Sequence, residues 1–115
     1  MVRKKEERKL DVKNMFGGAG EAKLLHILNT NEEMYNKGRV FTQVTLEPGC
    51  EIGWHIHHGD GETYCILKGL GEYSDNGNIV KVNPGDVTFV GDGEGHSLKN
   101  IGTEPLEAIA LILFK

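Results

Sequence analysis

From residue 38 onward the chain breaks into short runs rich in β-branched and aromatic residues, each closed by Gly, Pro, Asn or Asp. This pattern predicts strands near 39–46, 52–57, 62–68, 70–74, 78–82, 87–90, 96–100 and 106–114. The Asn-Gly pair of SDNGN supplies the two positive-φ positions of a type I′ hairpin turn. VNPGD sets Pro84 and Gly85 at the centre of another turn. Strands this short and this regularly punctuated predict an all-β sandwich or barrel and not a βαβ sheet. The last run, LEAIALILF, is apolar on both faces. One face is expected in the core and the other against a second subunit, making a homodimer.

The N-terminal third is less patterned. Residues 1–16 mix both charge signs and then offer Leu10, Val12, Met15 and Phe16, an arm that either faces solvent or lies on a partner subunit. FGGAGE lacks the GxGxxG spacing and a preceding strand, so it is expected to be a connector and not a phosphate loop. EAKLLHILN fits helix and strand alike, and Thr30-Asn31-Glu32-Glu33 has the capping-box pattern of a short helical turn. With no internal repeat or boundary, residues 1–115 are expected to form one domain.

Composition narrows the function. Glycine, at 16 of 115 residues, is about twice the usual share and has no collagen-like period, which suits many tight turns. A net charge of -4 gives no footprint for nucleic acid or an anionic membrane. No apolar stretch reaches the ~20 residues of a membrane helix, and MVRKKEERKL lacks a signal-peptide core, so a cytoplasmic location is expected. Cys50 and Cys65, the only cysteines, are expected as thiols, with Cys65 a small buried strand residue.

The chemistry concentrates in GWHIHHGDGETYCILKG, residues 53–69. His55 and His57, two apart on a strand, leave the same face roughly 6.5 to 7 Å apart along the backbone. If 58–61 form a hairpin loop, Glu62 sits opposite His57 and Tyr64 opposite His55. His58 falls out of phase and is expected either in solvent or behind the ligands without touching the ion. His96, in GDGEGHSLKN, is the fourth candidate, reaching the ion across the interior of a closed barrel. Three neutral imidazoles and one carboxylate leave a divalent ion with a net charge of about +1, and an octahedral ion keeps two open positions for an anionic oxygen ligand. Trp54, on the opposite face from His55, is expected to pack. Arg39 and Gln43 share a strand face in regular alternation, and if that face lines the barrel, Arg39 is placed to pair a substrate carboxylate.

Residues 49–100 resemble the small single-domain cupins, metal-binding proteins with the jelly-roll, or double-stranded β-helix, fold. The family's first motif, G-x5-H-x-H-x4-E-x6-G, matches without a gap from Gly49 through His55, His57 and Glu62 to Gly69. The second, G-x5-P-x-G-x2-H-x3-N, matches from Gly85 through Gly93 and His96 to Asn100, with Gly91 in place of Pro. Among small cupins the chain most resembles those called oxalate-decarboxylase-like. The resemblance implies one divalent transition metal (Mn, Fe, Ni, Co or Zn) on His55, His57, Glu62 and His96, and a small oxygen-rich ligand such as a carboxylate. The expected activity is a decarboxylase-like lyase or an oxidoreductase, with Tyr64, or a loop carboxylate such as Asp60 or Glu94, moving a proton. Alternatives are an iron dioxygenase, a sugar-phosphate isomerase and a cupin that binds a small ligand without turnover.

Overall fold

The computed structural model describes all 115 residues and contains ten strands: β1 (Leu10–Lys13), β2 (Ala22–His26), β3 (Gly38–Leu46), β4 (Glu51–Ile56), β5 (Asp60–Lys68), β6 (Gly71–Asp75), β7 (Asn78–Val82), β8 (Val87–Val90), β9 (Gly95–Asn100) and β10 (Leu106–Phe114). Their ladders are antiparallel. One sheet runs β1-β2-β3-β10-β5-β8 and the other β4-β9-β6-β7, the two-sheet jelly roll that the punctuated strands predict. EAKLLHILN resolves as strand, because β2 pairs with both β1 and β3. The capping-box stretch forms a 3-10 turn at Glu32–Met34, where Glu33 Oε1 accepts the Thr30 N–H and Thr30 Oγ1 accepts that of Glu33. At the β6–β7 hairpin Asn76 and Gly77 both take positive φ, 53° and 95°.

The core follows from the pleat. Ala22, Leu46 and Leu106 form one inward row across β2, β3 and β10, and Leu24, Val44, Ala108 and Ile66 the next. From the facing sheet Ile52, Tyr73 and Leu98 complete the cluster. Gly69 turns the chain out of β5 at φ 90°, and a Cβ there would meet Leu106 Cα at 2.8 Å, so only glycine fits. Asn100 is 1% exposed and closes the end of β9: its amide donates to the carbonyls of Leu46 and Glu104, and its oxygen accepts Gly102 N–H, each at 2.8 Å.

Three expectations are corrected. β4 and β5 do not form a hairpin, since they belong to different sheets and the chain crosses between them at 57–59. Arg39 and Gln43 do not share a face. The pairing of β10 passes from Ile112↔Val40 to Leu113↔Gly38, so Arg39 is the extra residue of a β-bulge, a device that re-aims a side chain. Gln43 keeps the regular alternation, beside Ile109 on the outer face. Cys65 is only partly buried, because its register with Ile109 and Val87 also puts it on that face.

Candidate metal centre

His55, His57, Glu62 and His96 converge, with one donor atom from each inside a 4.8 Å group. His55 and His96 are direct Cα partners on β4 and β9, and Glu62 reaches the same point from β5 in the opposite sheet. A register shift between Ile52 and His55 makes this possible, because without it two positions three apart on β4 would not both face inward. His57 lies just past the end of β4 and is held by its backbone, its N–H donating to Glu94 O at 2.9 Å and its carbonyl accepting Gly93 N–H at 2.7 Å.

Each of the three cluster histidines has its Nδ1 engaged. His55 Nδ1 donates to Gly53 O at 2.8 Å, and His57 Nδ1 to Asp60 Oδ1 at 2.6 Å; His96 Nδ1 bonds the Tyr73 hydroxyl at 2.8 Å. A carbonyl and a carboxylate only accept, so the Nε2 atoms of His55 and His57 are the unprotonated nitrogens of the neutral rings. Asp60 is fixed in turn by Arg39 Nε at 2.8 Å. Such outer partners orient metal-ligating imidazoles in general.

The spacing suits an ion as well. His96 Nε2 lies 3.0 Å from His55 Nε2, 3.2 Å from His57 Nε2 and 3.0 Å from Glu62 Oε1. Glu62 Oε1 lies 3.3 Å from His57 Nε2 and 3.7 Å from His55 Nε2. Donors bonded at about 2.1 Å sit about 3.0 Å apart at right angles and about 3.4 Å apart in a tetrahedron. Lone pairs and a carboxylate gathered this closely repel one another, and a divalent cation relieves that repulsion.

The electrostatics accord. Without an ion, burial pushes the Glu62 carboxyl up, but hydrogen bonds from His55, His57 and His96 once these rings carry a proton on Nε2 prevail and hold it well below the usual carboxylate range. His57 is raised, chiefly by its bond to Glu62 and against the effect of burial, with Asp60 assisting. His96 is lowered by burial. Tyr64 is raised well above its ordinary value by burial and by Glu62. It stays a phenol at neutral pH.

A cavity of about 170 Å³ opens beside the cluster and is lined by His55, His57, Glu62, Tyr64 and Arg39 among others. Tyr64 is 1% exposed and stacks on His96 with centroids 5.1 Å apart. Glu94 does not line this cavity; its carboxylate accepts Gly91 N–H at 2.7 Å and the Asn76 amide at 2.8 Å, pinning the loop before β9. A proline at 91 would have no N–H for that bond, so Gly91 suits this loop. Asp60 is 5% exposed and committed to His57 and Arg39. Trp54 packs outside, over Gly95.

Sequence reasoning missed the N-terminal contribution. Asp11, Lys13, Met15, Phe16 and His26 line the same cavity. Phe16 stacks on His55 with centroids 4.0 Å apart and planes at 12°, and takes φ 55°, costly for a bulky residue. Gly18 and Gly53 permit the approach: a Cβ on Gly53 would meet Phe16 O at 2.5 Å. The paired glycines of FGGAGE were the available signal.

Comparison with known proteins agrees with this geometry. A family model described as the cupin domain matches residues 42–112. The oxalate-binding protein of Thermotoga maritima is 42% identical over 113 residues, 98% of this chain and 93% of that protein. The crystal structure of a predicted oxalate decarboxylase from Thermotoga maritima superimposes with a TM-score of 0.93 at 40% identity, covering 100% of both chains. The mannose-1-phosphate guanylyltransferase of Klebsiella pneumoniae is 33% identical over 69 residues, 60% of this chain and 15% of that enzyme.

Proposed function

The chain belongs to the cupin domain family, and on that premise we propose that it holds one divalent transition metal (Mn, Fe, Co, Ni or Zn) on His55, His57, Glu62 and His96 and uses it to bind a small carboxylate of the oxalate type. The observation that carries this reading is the set of Nε2 atoms and one carboxylate oxygen aimed at a common point, with the Nδ1 atoms of His55 and His57 already committed to acceptors. When bound, the ion supplies Lewis acidity and free positions for anionic oxygens. The chain's own residues shape the rest. Tyr64 is placed to donate its hydroxyl into the cavity, Arg39 and Asp60 steady His57, and the Phe16 ring covers one side of His55.

The size of the cavity supports a ligand of few atoms, since pockets for drug-sized molecules run to roughly 300–1,000 Å³. It is small for a sugar phosphate. The relative from Thermotoga maritima is an oxalate-binding protein, which favours capture of the ligand. Turnover by a lyase-type or oxidative route is a second reading, favoured by the place of Tyr64 on the cavity wall beside the cluster. Titration of metal-loaded protein with oxalate, followed by recovery of the ligand after prolonged incubation, tests both. Saturable binding with unchanged oxalate supports the binder, carbon dioxide release supports the lyase, and no metal-dependent binding contradicts both.

The outer face of the six-stranded sheet is proposed to meet a second copy of the chain. Phe41, Leu111, Thr63 and Phe89 form one outward row, and Val87 and Phe89 are 63% and 65% exposed. No helix is long and apolar enough to cross a membrane.

A further inference from the structure

Phe16 stands where neither its backbone nor its own burial favours a phenyl ring. Gly18 N–H donates to Met15 O at 3.1 Å, and the two residues between them, Phe16 and Gly17, take φ 55° and 73°. Two consecutive positive φ values mark a type I′ turn, whose central positions suit Asn, Asp or Gly. A bulky side chain there is an outlier. Burial offers little in return, since Phe16 remains 58% exposed.

The turn is nevertheless held on every side. The Asn14 side chain accepts Gly17 N–H at 3.0 Å and donates to the carbonyls of Gly18 and Gly20 at 2.6 and 2.9 Å. Gly53 N–H donates to Met15 O at 2.9 Å and Glu51 N–H to Ala19 O at 2.8 Å, which laces the segment along β4. Gly53 therefore places both rings: its N–H holds the turn that carries Phe16, and its carbonyl accepts His55 Nδ1–H. The outcome is the near-parallel stack of Phe16 on His55. Backbone strain that so many surrounding bonds maintain points to a use for the side chain.

That use follows from the chemistry at the edge of the stack. His55 faces the cluster through Nε2, whose lone pair lies in the plane of the ring. An ion bonded there sits in that plane, and a group rising from it on the Phe16 side meets the phenyl ring. Phe16 lines the same cavity as His55, His57 and Glu62. The inner walls, at Leu24, Thr42, Val44 and Ala110, are buried in the packed sheet and offer no room to give way. Phe16 stands at the solvent boundary, where a larger ligand would otherwise extend outward.

We infer that Phe16 is a specificity-determining residue: its ring closes the cavity beside His55 and restricts the ligand to chelating acids with no bulky group next to their metal-binding oxygens. This rests on the reading that the four-residue cluster binds metal. Oxalate and malonate meet the restriction, and an acid with an aromatic substituent beside its carboxylates does not.

The test is calorimetric titration of manganese-loaded wild type, Phe16→Ala and Phe16→Asn with oxalate, malonate and benzylmalonate, together with metal content for each protein. Malonate and benzylmalonate share the same pair of carboxylates and differ in the added ring. A group with no room to fit predicts that wild type prefers malonate by about 10- to 100-fold. That preference shrinks at least about fivefold in both variants, while oxalate affinity and metal content stay within about threefold. Asn tolerates positive φ, so Phe16→Asn keeps the turn and the test valid if Phe16→Ala folds poorly. A wild-type ratio near one, or a ratio unchanged in a variant that keeps its metal, overturns the inference while leaving the metal reading intact. Refusal of benzylmalonate by all three proteins overturns it too. Equal losses for all three acids show a structural role for the ring and overturn it as well. Wild type that takes up neither manganese nor oxalate defeats the metal reading, a separate and recognisable result.

Discussion

His55 and His96 stand directly opposite each other on β4 and β9, with their Nε2 atoms 3.0 Å apart, although they are 41 positions apart in sequence. Glu62, close to His57 in sequence, arrives from the other sheet. The centre is thus assembled by the closure of two sheets, and its integrity depends on what holds them together.

Asp60 should tune the centre without being a ligand. Asp60→Asn keeps the shape but weakens the hold on His57 Nδ1–H, and metal affinity should fall about 10- to 100-fold, the usual cost of losing such a partner. Arg39→Ala should give a smaller loss in the same direction. Competition with a chelator of known affinity checks both, and unchanged affinity in Asp60→Asn would contradict the role of this hydrogen bond.

Asn100 should matter for stability alone. Asn100→Ala removes three hydrogen bonds at a fully buried site, and at about 1 kcal/mol each, with unpaired carbonyls left behind, the loss should be about 2–4 kcal/mol. Urea unfolding measures it. Metal stoichiometry of the folded variant should stay that of wild type.

In the metal-free protein the histidines should titrate apart. His57 should titrate above 6.5 and His96 below it, and Glu62→Gln should bring His57 down because Glu62 is the main cause of its shift. NMR of the ring protons reports each. The signs for stability follow. The depressed Glu62 stabilises fully above its ordinary 4.5, and this stabilisation is lost as pH falls through its lower folded value. The raised His57 stabilises fully below 6.5, and that contribution is lost as pH rises through its folded value. Acid unfolding of metal-free Glu62→Gln should therefore show a shallower pH dependence below 4.5 than wild type.

Leu111→Glu places a charge in the middle of the outward apolar row. If that face joins two copies, the variant should elute as a monomer where wild type elutes as a dimer, and light scattering checks the masses. Monomeric wild type would remove the proposed interface.

Much of this molecule was legible in its sequence. Each strand from β3 to β10 was marked by its own punctuation, and the four candidate ligands by their type and spacing, because turn residues and imidazoles carry local signals. What was not legible depended on pairing across the fold. The bulge at Arg39 and the register shift before His55 leave no mark in composition, yet they decide which side chains face inward. The crossing at 57–59 reads as a hairpin until the second sheet is seen. His26 sits in a run that fits helix and strand equally well, and only pairing with β1 and β3 turns it toward the cavity.

The central claim is most directly tested by metal analysis of protein purified without added metal, then equilibrated with manganese, in wild type and His96→Ala. The prediction is about one ion per wild-type chain and a loss of at least about tenfold in affinity for the variant, which loses one of four donors. Equal occupancy in the two proteins, whether near zero or near one, would contradict it.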